Sequence, residues 1–284
     1  MRAGMRSMLK QYLPEPVQRP LRWLRDGVQR LAIKRLFRKH LNLQQLNRIF
    51  RWNRYWYFAT YADNQIITRH NADFVRDGTF APAYRFAKAF TKEDRAPWSV
   101  YLLQWAARQA VKVPGDFVEC GTARGFAAAM ILASVDLAGC GKRFFLFDSW
   151  SGVLPAQLTE NERRLYGTQL PAFIRQFSGY FDEVKHAFAR FPFVTLVKGY
   201  VPRSLSQAEI ESVCFLHLDM NAMHPEVEAL RYFWPRLQKG AWVVLDDYGQ
   251  PGRIEQKRGM DRLAEGLHIE IFASPTGQGI MVKS

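Results

Sequence analysis

Asp116-Phe117-Val118-Glu119-Cys120-Gly121-Thr122-Ala123-Arg124-Gly125-Phe126-Ala127-Ala128-Ala129-Met130 is the stretch around which this chain is organised. Phe117 and Val118 suit a buried strand, and Glu119 places a charge at its carboxyl end. Gly121 and Gly125 permit a tight turn and a close approach of backbone to a ligand. From Phe126 to Ala133 the chain is apolar, rich in small residues and free of proline, the pattern of a helix packed on a sheet. Strand, glycine-rich turn and helix form the first half of a Rossmann-type unit, whose ligand sits at the carboxyl edge of the strand. Taken alone, such a turn is equally well an ordinary strand-to-helix connection.

Its spacing is Glu-x-Gly-x-x-x-Gly rather than Gly-x-Gly-x-x-Gly. The latter seats a pyrophosphate on a helix N-terminus. Here Glu119 would repel one, which argues against a nicotinamide-dependent oxidoreductase. A carboxylate suits a ligand with a cationic or amino-bearing end, such as the methionine part of S-adenosylmethionine.

Downstream, strand and helix patterns alternate regularly, which predicts a parallel sheet. Strands are expected at Arg143 to Asp148, Phe193 to Val197 (followed by Gly199), Val213 to Asp219 and Ala241 to Asp247. A final pair is expected at Ile269 to Phe272 and Gly279 to Val282. Residues 156–190 read as two or three helices. Further helices are expected at Trp98 to Val113, Glu226 to Leu237 (with Pro225 at its start) and Ile254 to Gly266. Four of the expected strands end in acids: Glu119, Asp148, Asp219 and the pair Asp246-Asp247. In an open α/β sheet those ends face one crevice. Gathered carboxylates need a cation or hydroxyl donors to offset their repulsion. Asp148 is placed to accept from ribose hydroxyls, although alone it reads as a cap of the next turn. Asp219, Asp246 and Asp247 offer hard oxygen ligands suited to Mg²⁺.

The motifs Glu119-x-Gly121-x-x-x-Gly125, Phe147-Asp148-Ser149-Trp150, Val197-Lys198-Gly199, Leu218-Asp219-Met220-Asn221 and Leu245-Asp246-Asp247-Tyr248-Gly249 occur in order. Over roughly residues 99–284 the chain resembles the S-adenosylmethionine-dependent O-methyltransferases of the macrocin type, which methylate sugar hydroxyls. The resemblance implies an α/β, Rossmann-like class I methyltransferase fold, mostly parallel with the last strand antiparallel, behind an N-terminal helical extension. It also implies bound S-adenosylmethionine, an Mg²⁺ ion and a sugar or glycan acceptor. By position, Glu119, Gly121, Thr122, Gly125, Asp148, Ser149 and Gly199 would bind the cofactor, and Asp219, Asp246 and Asp247 the metal. The family carries Asp-x-Asp at the fourth strand, the second Asp acting as general base. This chain has Asn221 there, and an amide cannot accept the proton. His224 and His217 are the local substitutes, and His224 is the better placed, since His217 lies inside a strand. Alternatively the metal alone acidifies the hydroxyl. Asn221 also keeps a second reading open: a cofactor-binding interaction protein of the same fold with altered catalysis.

The length suits one sizeable core with a smaller accessory region. Cys120, Cys140 and Cys214 fit neither a disulfide framework nor a metal spacing, and read as buried thiols in a reducing compartment. No apolar run is long enough to span a bilayer. Met1 to Lys10 lacks the continuous apolar segment of a signal peptide. The expected location is therefore the cytoplasm.

The net charge of +14 is concentrated early: residues 1–62 carry fourteen Lys or Arg against two acids, Glu15 and Asp26, leaving +2 for the remainder. Within them, Val17, Leu21, Leu24, Val28 and Leu31 recur at helical intervals among many arginines. Residues 1–62 are thus expected to form a basic amphipathic helical extension. Residues 63–98 are expected to cap the mouth of the domain at 99–284. The extension could lie on an anionic membrane surface, peripheral to its inner face, or pack against its own protein, a second copy in a homo-oligomer, or another protein partner. Nucleic acid fits less well, because no recognised motif accompanies the charge.

Overall fold

The computed structural model describes residues 61–284 apart from 64 and 69, and among the described residues nine strands and eight α-helices follow one another. The basic helix expected from Val17 onward lies outside the described residues. Two compact units divide at Asn71 and Ala72. In the first, β1 (Tyr61–Ala62) and β2 (Ile67–Thr68) form an antiparallel hairpin. Its turn is held by Asp63 Oδ1, which accepts from the N–H groups of Gln65 and Ile66, each at 2.8 Å.

The second unit opens with a 3-10 turn and then α1 (Phe80–Thr91) and α2 (Pro97–Ala110). Pro97 starts α2, where its missing N–H costs nothing. The alternating part follows: β3 (Asp116–Cys120), α3 (Phe126–Leu132), β4 (Phe144–Asp148), α4 (Glu160–Tyr166), α5 (Leu170–Gln176), α6 (Phe181–Phe188) and β5 (Val194–Lys198). The chain continues through β6 (Val213–Leu218), α7 (Met223–Phe233), β7 (Leu237–Leu245), α8 (Ile254–Gly266), β8 (Phe272–Ala273) and β9 (Gly279–Val282). The strand order is β5-β4-β3-β6-β7-β9-β8. The first five of these strands in space are parallel, and β9 runs antiparallel to β7 and β8. The expected mostly parallel sheet with an antiparallel last strand is therefore present.

Strand alternation sorts side chains to two cores. On one face Val118, Phe145, Phe147, Leu216 and Val243 pack against Leu230 and Phe233 of α7 and Met260 of α8. On the other, Phe117, Phe144, Leu146, Phe215 and Val244 meet Leu103 and Ala107 of α2 and Ala128 and Ile131 of α3. Phe117, Phe144, Phe147 and Phe215 are fully buried, and each contributes about 1.5–3 kcal/mol over an exposed ring. All six residues of β6 are buried, as a central parallel strand requires. Sheet order reverses direction at β3 and β6: β4 and β5 lie on one side, β7 on the other. A crevice outside their carboxyl ends is where such sheets bind ligands. No described helix is long and apolar enough to cross a membrane.

Candidate active site

Hydrogen bonds running beyond the strands bring their carboxyl ends level. Gly121 N–H donates to Phe147 O at 2.8 Å, Asp219 N–H to Cys120 O at 2.9 Å and Asp246 N–H to Leu218 O at 3.0 Å. Gly199 N–H donates to Asp148 O at 2.9 Å. Glu119, Asp148, Asp219, Asp246 and Asp247 therefore stand along one rim. Three non-glycine residues just past these strands hold left-handed backbones: Ala123 (φ 49°), Trp150 (φ 48°) and Asn221 (φ 59°). Such conformations cost roughly 1–3 kcal/mol each and cluster at functional sites.

The two glycines of the first turn serve the fold more directly than the sequence suggests. A Cβ on Gly121 (φ 96°) would lie 1.9 Å from Asp219 O, and one on Gly125 (φ 86°) would lie 2.5 Å from the Phe188 ring. The close approaches that require glycine are to β6 and to α6. Around this turn Glu119 Oε1 and Thr122 Oγ1 are buried without a hydrogen-bond partner among the described residues. A ligand with an ammonium group and hydroxyls fits these unpartnered acceptors.

Asp148 bridges two turns. Its Oδ2 accepts from Ala123 N–H at 2.8 Å and its Oδ1 from Trp150 N–H at 2.6 Å. Trp150 Nε1 in turn donates to Ala123 O at 2.9 Å. Burial raises the Asp148 pKa, with these backbone bonds working against it. The capping reading of Asp148 is thus realised, and each oxygen retains a lone pair for a further donor. Ser149 Oγ donates to Gly152 O at 2.9 Å and shapes the same turn. Arg124 closes the far side, paired with Glu183 at 2.8 Å and stacked over Tyr180.

Glu119 and Asp247 are buried and Asp219 and Asp246 are partly buried, beside cations that the chain itself supplies. His217 lies between Glu119 and Asp246, with Nδ1 3.1 Å from Glu119 Oε2 and Nε2 3.9 Å from Asp246 Oδ1. Burial disfavours its charge, but the bonds and charges of the two acids outweigh it and push its pKa up to about 10. His217 is accordingly a buried counter-ion rather than a proton acceptor. Burial would raise the Asp246 pKa, yet His217 holds it below its ordinary value. Gln278 Nε2 also donates to Asp246 Oδ1 at 2.9 Å. Asp219 is raised well above the usual carboxylate range, by burial and then by Asp246. The same two causes raise Asp247 to about 6.

Arg253 sits just before α8, where nothing in the sequence marked it. Its Nη2 donates to Asn221 Oδ1 at 2.6 Å, and its Nη1 donates to Asn221 O at 3.3 Å and to the Tyr166 hydroxyl. Its Nε stands 3.5 Å from Asp247 Oδ2. Asn221 Nδ2 donates to Asp219 Oδ1 at 3.2 Å. The Asn221 amide is thus held at both ends, and it tethers Asp219 rather than facing an acceptor freely.

The surrounding loop is gripped from two helices. Glu226 Oε1 accepts from Met220 N–H at 2.9 Å and Asn221 N–H at 3.1 Å. Glu162, whose other oxygen forms the capping box of α4 with Thr159, accepts from Met223 N–H at 2.7 Å. Burial, then Asp247, pushes the Glu226 pKa up to about 8. His224, by contrast, is exposed on the first turn of α7 and makes none of the bonds of this network.

Asp219, Asp246 and Asp247 offer hard oxygens, and Asp247 Oδ2 is buried without a hydrogen-bond donor among the described residues. That donor chemistry fits Mg²⁺. As they stand, however, no three or more His, Cys, Asp or Glu side chains among the described residues converge to hold an ion.

The chain is similar to known proteins. The family model for macrocin-O-methyltransferase (TylF) matches residues 78–272. A Streptomyces olivaceus 8-demethyl-8-(2,3-dimethoxy-alpha-L-rhamnosyl)-tetracenomycin-C 4'-O-methyltransferase is 27% identical over 148 residues, covering 48% of this chain and 54% of that protein. The chain thus spans about half the length of this curated relative. Among solved structures, the O-methyltransferase NovP superposes with a TM-score of 0.56 at 18% identity, over 65% of this chain and 79% of that one. The calicheamicin methyltransferase CalS11 superposes with a TM-score of 0.52 at 18% identity, over 71% of this chain and 91% of that one. These two likenesses concern the fold.

Proposed function

This chain belongs to the macrocin-O-methyltransferase family, and we propose that it transfers the methyl group of S-adenosylmethionine to a hydroxyl of a sugar or glycan. The observation that carries this reading is the row of acids at the carboxyl ends of β3, β4, β6 and β7, each held by a bond or counter-ion of the chain's own. The tetracenomycin relative, by its name, methylates a rhamnosyl 4'-hydroxyl, which supports a sugar acceptor. The basic residues 1–62 would suit work beside an anionic membrane, where lipid-linked glycans are assembled.

Glu119 Oε1 and Thr122 Oγ1 are the free acceptors for the methionine ammonium, and Asp148 keeps lone pairs for the ribose hydroxyls. Gly121, Gly125, Ser149 and Gly199 shape the turns on which the nucleoside would lie. Much of the rate would come from aligning acceptor oxygen, methyl carbon and sulfur. Asp219, Asp246 and Asp247 would hold Mg²⁺, which supplies Lewis acidity toward the acceptor hydroxyl when bound. Asn221 fixes Asp219 through its amide and Arg253 fixes Asn221. The proton therefore does not go to position 221, where the family places its base.

Asp246→Asn keeps the acceptor that Gln278 needs and removes a metal ligand. It is expected to cost on the order of 100-fold in Mg²⁺-dependent turnover, with S-adenosylhomocysteine affinity within about three-fold. Turnover equal to wild type, or unaffected by excess chelator, would remove the metal from the mechanism. A second reading, a cofactor-binding interaction protein, is favoured by one observation: the tethered Asn221. Calorimetry with S-adenosylhomocysteine and with NAD⁺ tests the cofactor shared by both readings. Binding of the first alone is expected, whereas binding of NAD⁺ alone would overturn both.

A further inference from the structure

Arg95 lies on the loop between α1 and α2, and that loop is pinned from α1. The Tyr84 hydroxyl stands 2.5 Å from both Asp94 Oδ1 and Arg95 O, and Lys88 Nζ donates to Asp94 Oδ2 at 2.6 Å. The anchored backbone carries the Arg95 guanidinium to the acidic rim, with Nη1 3.8 Å from Asp219 Oδ2 and Nη2 3.9 Å from Glu93 Oε2. Both are ion pairs beyond hydrogen-bond length. Among the described residues the guanidinium makes no hydrogen bond, and its side chain is 40% exposed. Arg253, which also reaches the rim acids, is committed to Asn221, Tyr166 and Asp247. Arg95 is therefore a fixed cation with unused donors beside a row of carboxylates.

Those carboxylates create a problem for a methionine-bearing ligand. Its ammonium suits Glu119, but its α-carboxylate would meet acids on β3, β6 and β7. An anion can settle there only if a cation meets it, and arginine's planar fork matches a carboxylate in two parallel bonds. We propose that Arg95 binds the α-carboxylate of S-adenosylmethionine, so that this rim recognises both ends of the zwitterion. The proposal rests on the cofactor reading above. It makes Arg95 a cofactor-specificity residue supplied by the segment that precedes the sheet.

The test is calorimetry on wild type, Arg95→Gln and Arg95→Lys with three ligands: S-adenosylhomocysteine, its decarboxylated analogue and 5'-methylthioadenosine. Wild type is expected to prefer S-adenosylhomocysteine to the decarboxylated analogue by about 10- to 100-fold, the worth of a charge-assisted bond. Arg95→Gln should lose that preference while binding the other two ligands as wild type does, and Arg95→Lys should recover part of it. An Arg95→Gln variant that keeps the preference overturns the proposal. So does one that loses affinity equally for all three ligands, because that marks a structural role. A folded wild type that binds none of them overturns the cofactor reading, and this inference with it.

Discussion

Gly121→Ala is expected to destabilise the protein by about 3–5 kcal/mol, since it combines a core overlap with a left-handed backbone that alanine resists. The new Cβ would stand 1.9 Å from Asp219 O and 2.4 Å from Asp219 C. Those are backbone atoms and cannot swing aside as a side chain would. β3 and β6 would have to part at the point where the rim is assembled. The loss should appear as a fall of roughly 10 °C or more in melting temperature, and the variant should bind S-adenosylhomocysteine weakly even where it stays folded. Wild-type stability and affinity in this variant would show that the β3–β6 junction tolerates a side chain and is not what sets the rim.

His217→Gln is expected to cost about 3–5 kcal/mol, the usual penalty for removing one partner from a buried ion pair. Glu119 and Asp246 would be left facing each other across β6 without the charge between them. The effect carries a pH signature. His217 is held with a pKa of about 10, above its ordinary value of 6.5. Its contribution is therefore fully present below pH 6.5 and is lost as pH rises through about 10. Asp247 and Glu226, raised to about 6 and about 8, act in the same direction at lower pH. Wild type should lose stability steadily from near neutrality to pH 10, and the difference between wild type and His217→Gln should shrink across that range. Denaturation midpoints at pH 6, 8 and 10 measure it. A difference independent of pH would mean that His217 is neutral in the fold.

Strands and their acids were legible because they depend on short-range pattern. A buried parallel strand is a run of apolar residues, and the charge that ends it falls at the rim. The strand expected over Val213 to Asp219 spans Val213–Leu218, and the helix from Ile254 to Gly266 appears where the pattern places it. Boundaries slipped where geometry intervened. β7 begins at Leu237, not Ala241, because its pairing with β6 shifts register between Val213 and Phe215, leaving Gly240 in a left-handed turn of backbone. α7 begins at Met223, before Pro225, where Glu162 takes the Met223 N–H.

The counter-ions were not legible. Nothing in the pattern says which of forty Lys and Arg turn inward, and Arg95 and Arg253 come from loops far apart in sequence. His217 reads from the sequence only as a strand residue less well placed than His224 to act as base, and its bridging of two site acids follows from strand adjacency. Repulsion among the acids did indicate that a cation was needed. It pointed to Mg²⁺, while the chain places three side-chain cations of its own beside the same acids.

The central claim is that this rim serves methyl transfer to a sugar hydroxyl. It is tested most directly by incubating the protein with S-adenosylmethionine labelled in its methyl group and a glycan extract, then following the label. Label is expected in the sugar fraction, held as an ether and stable to mild base. S-adenosylhomocysteine binding with no label transferred to any sugar would contradict it, and would leave a cofactor-binding protein without this chemistry.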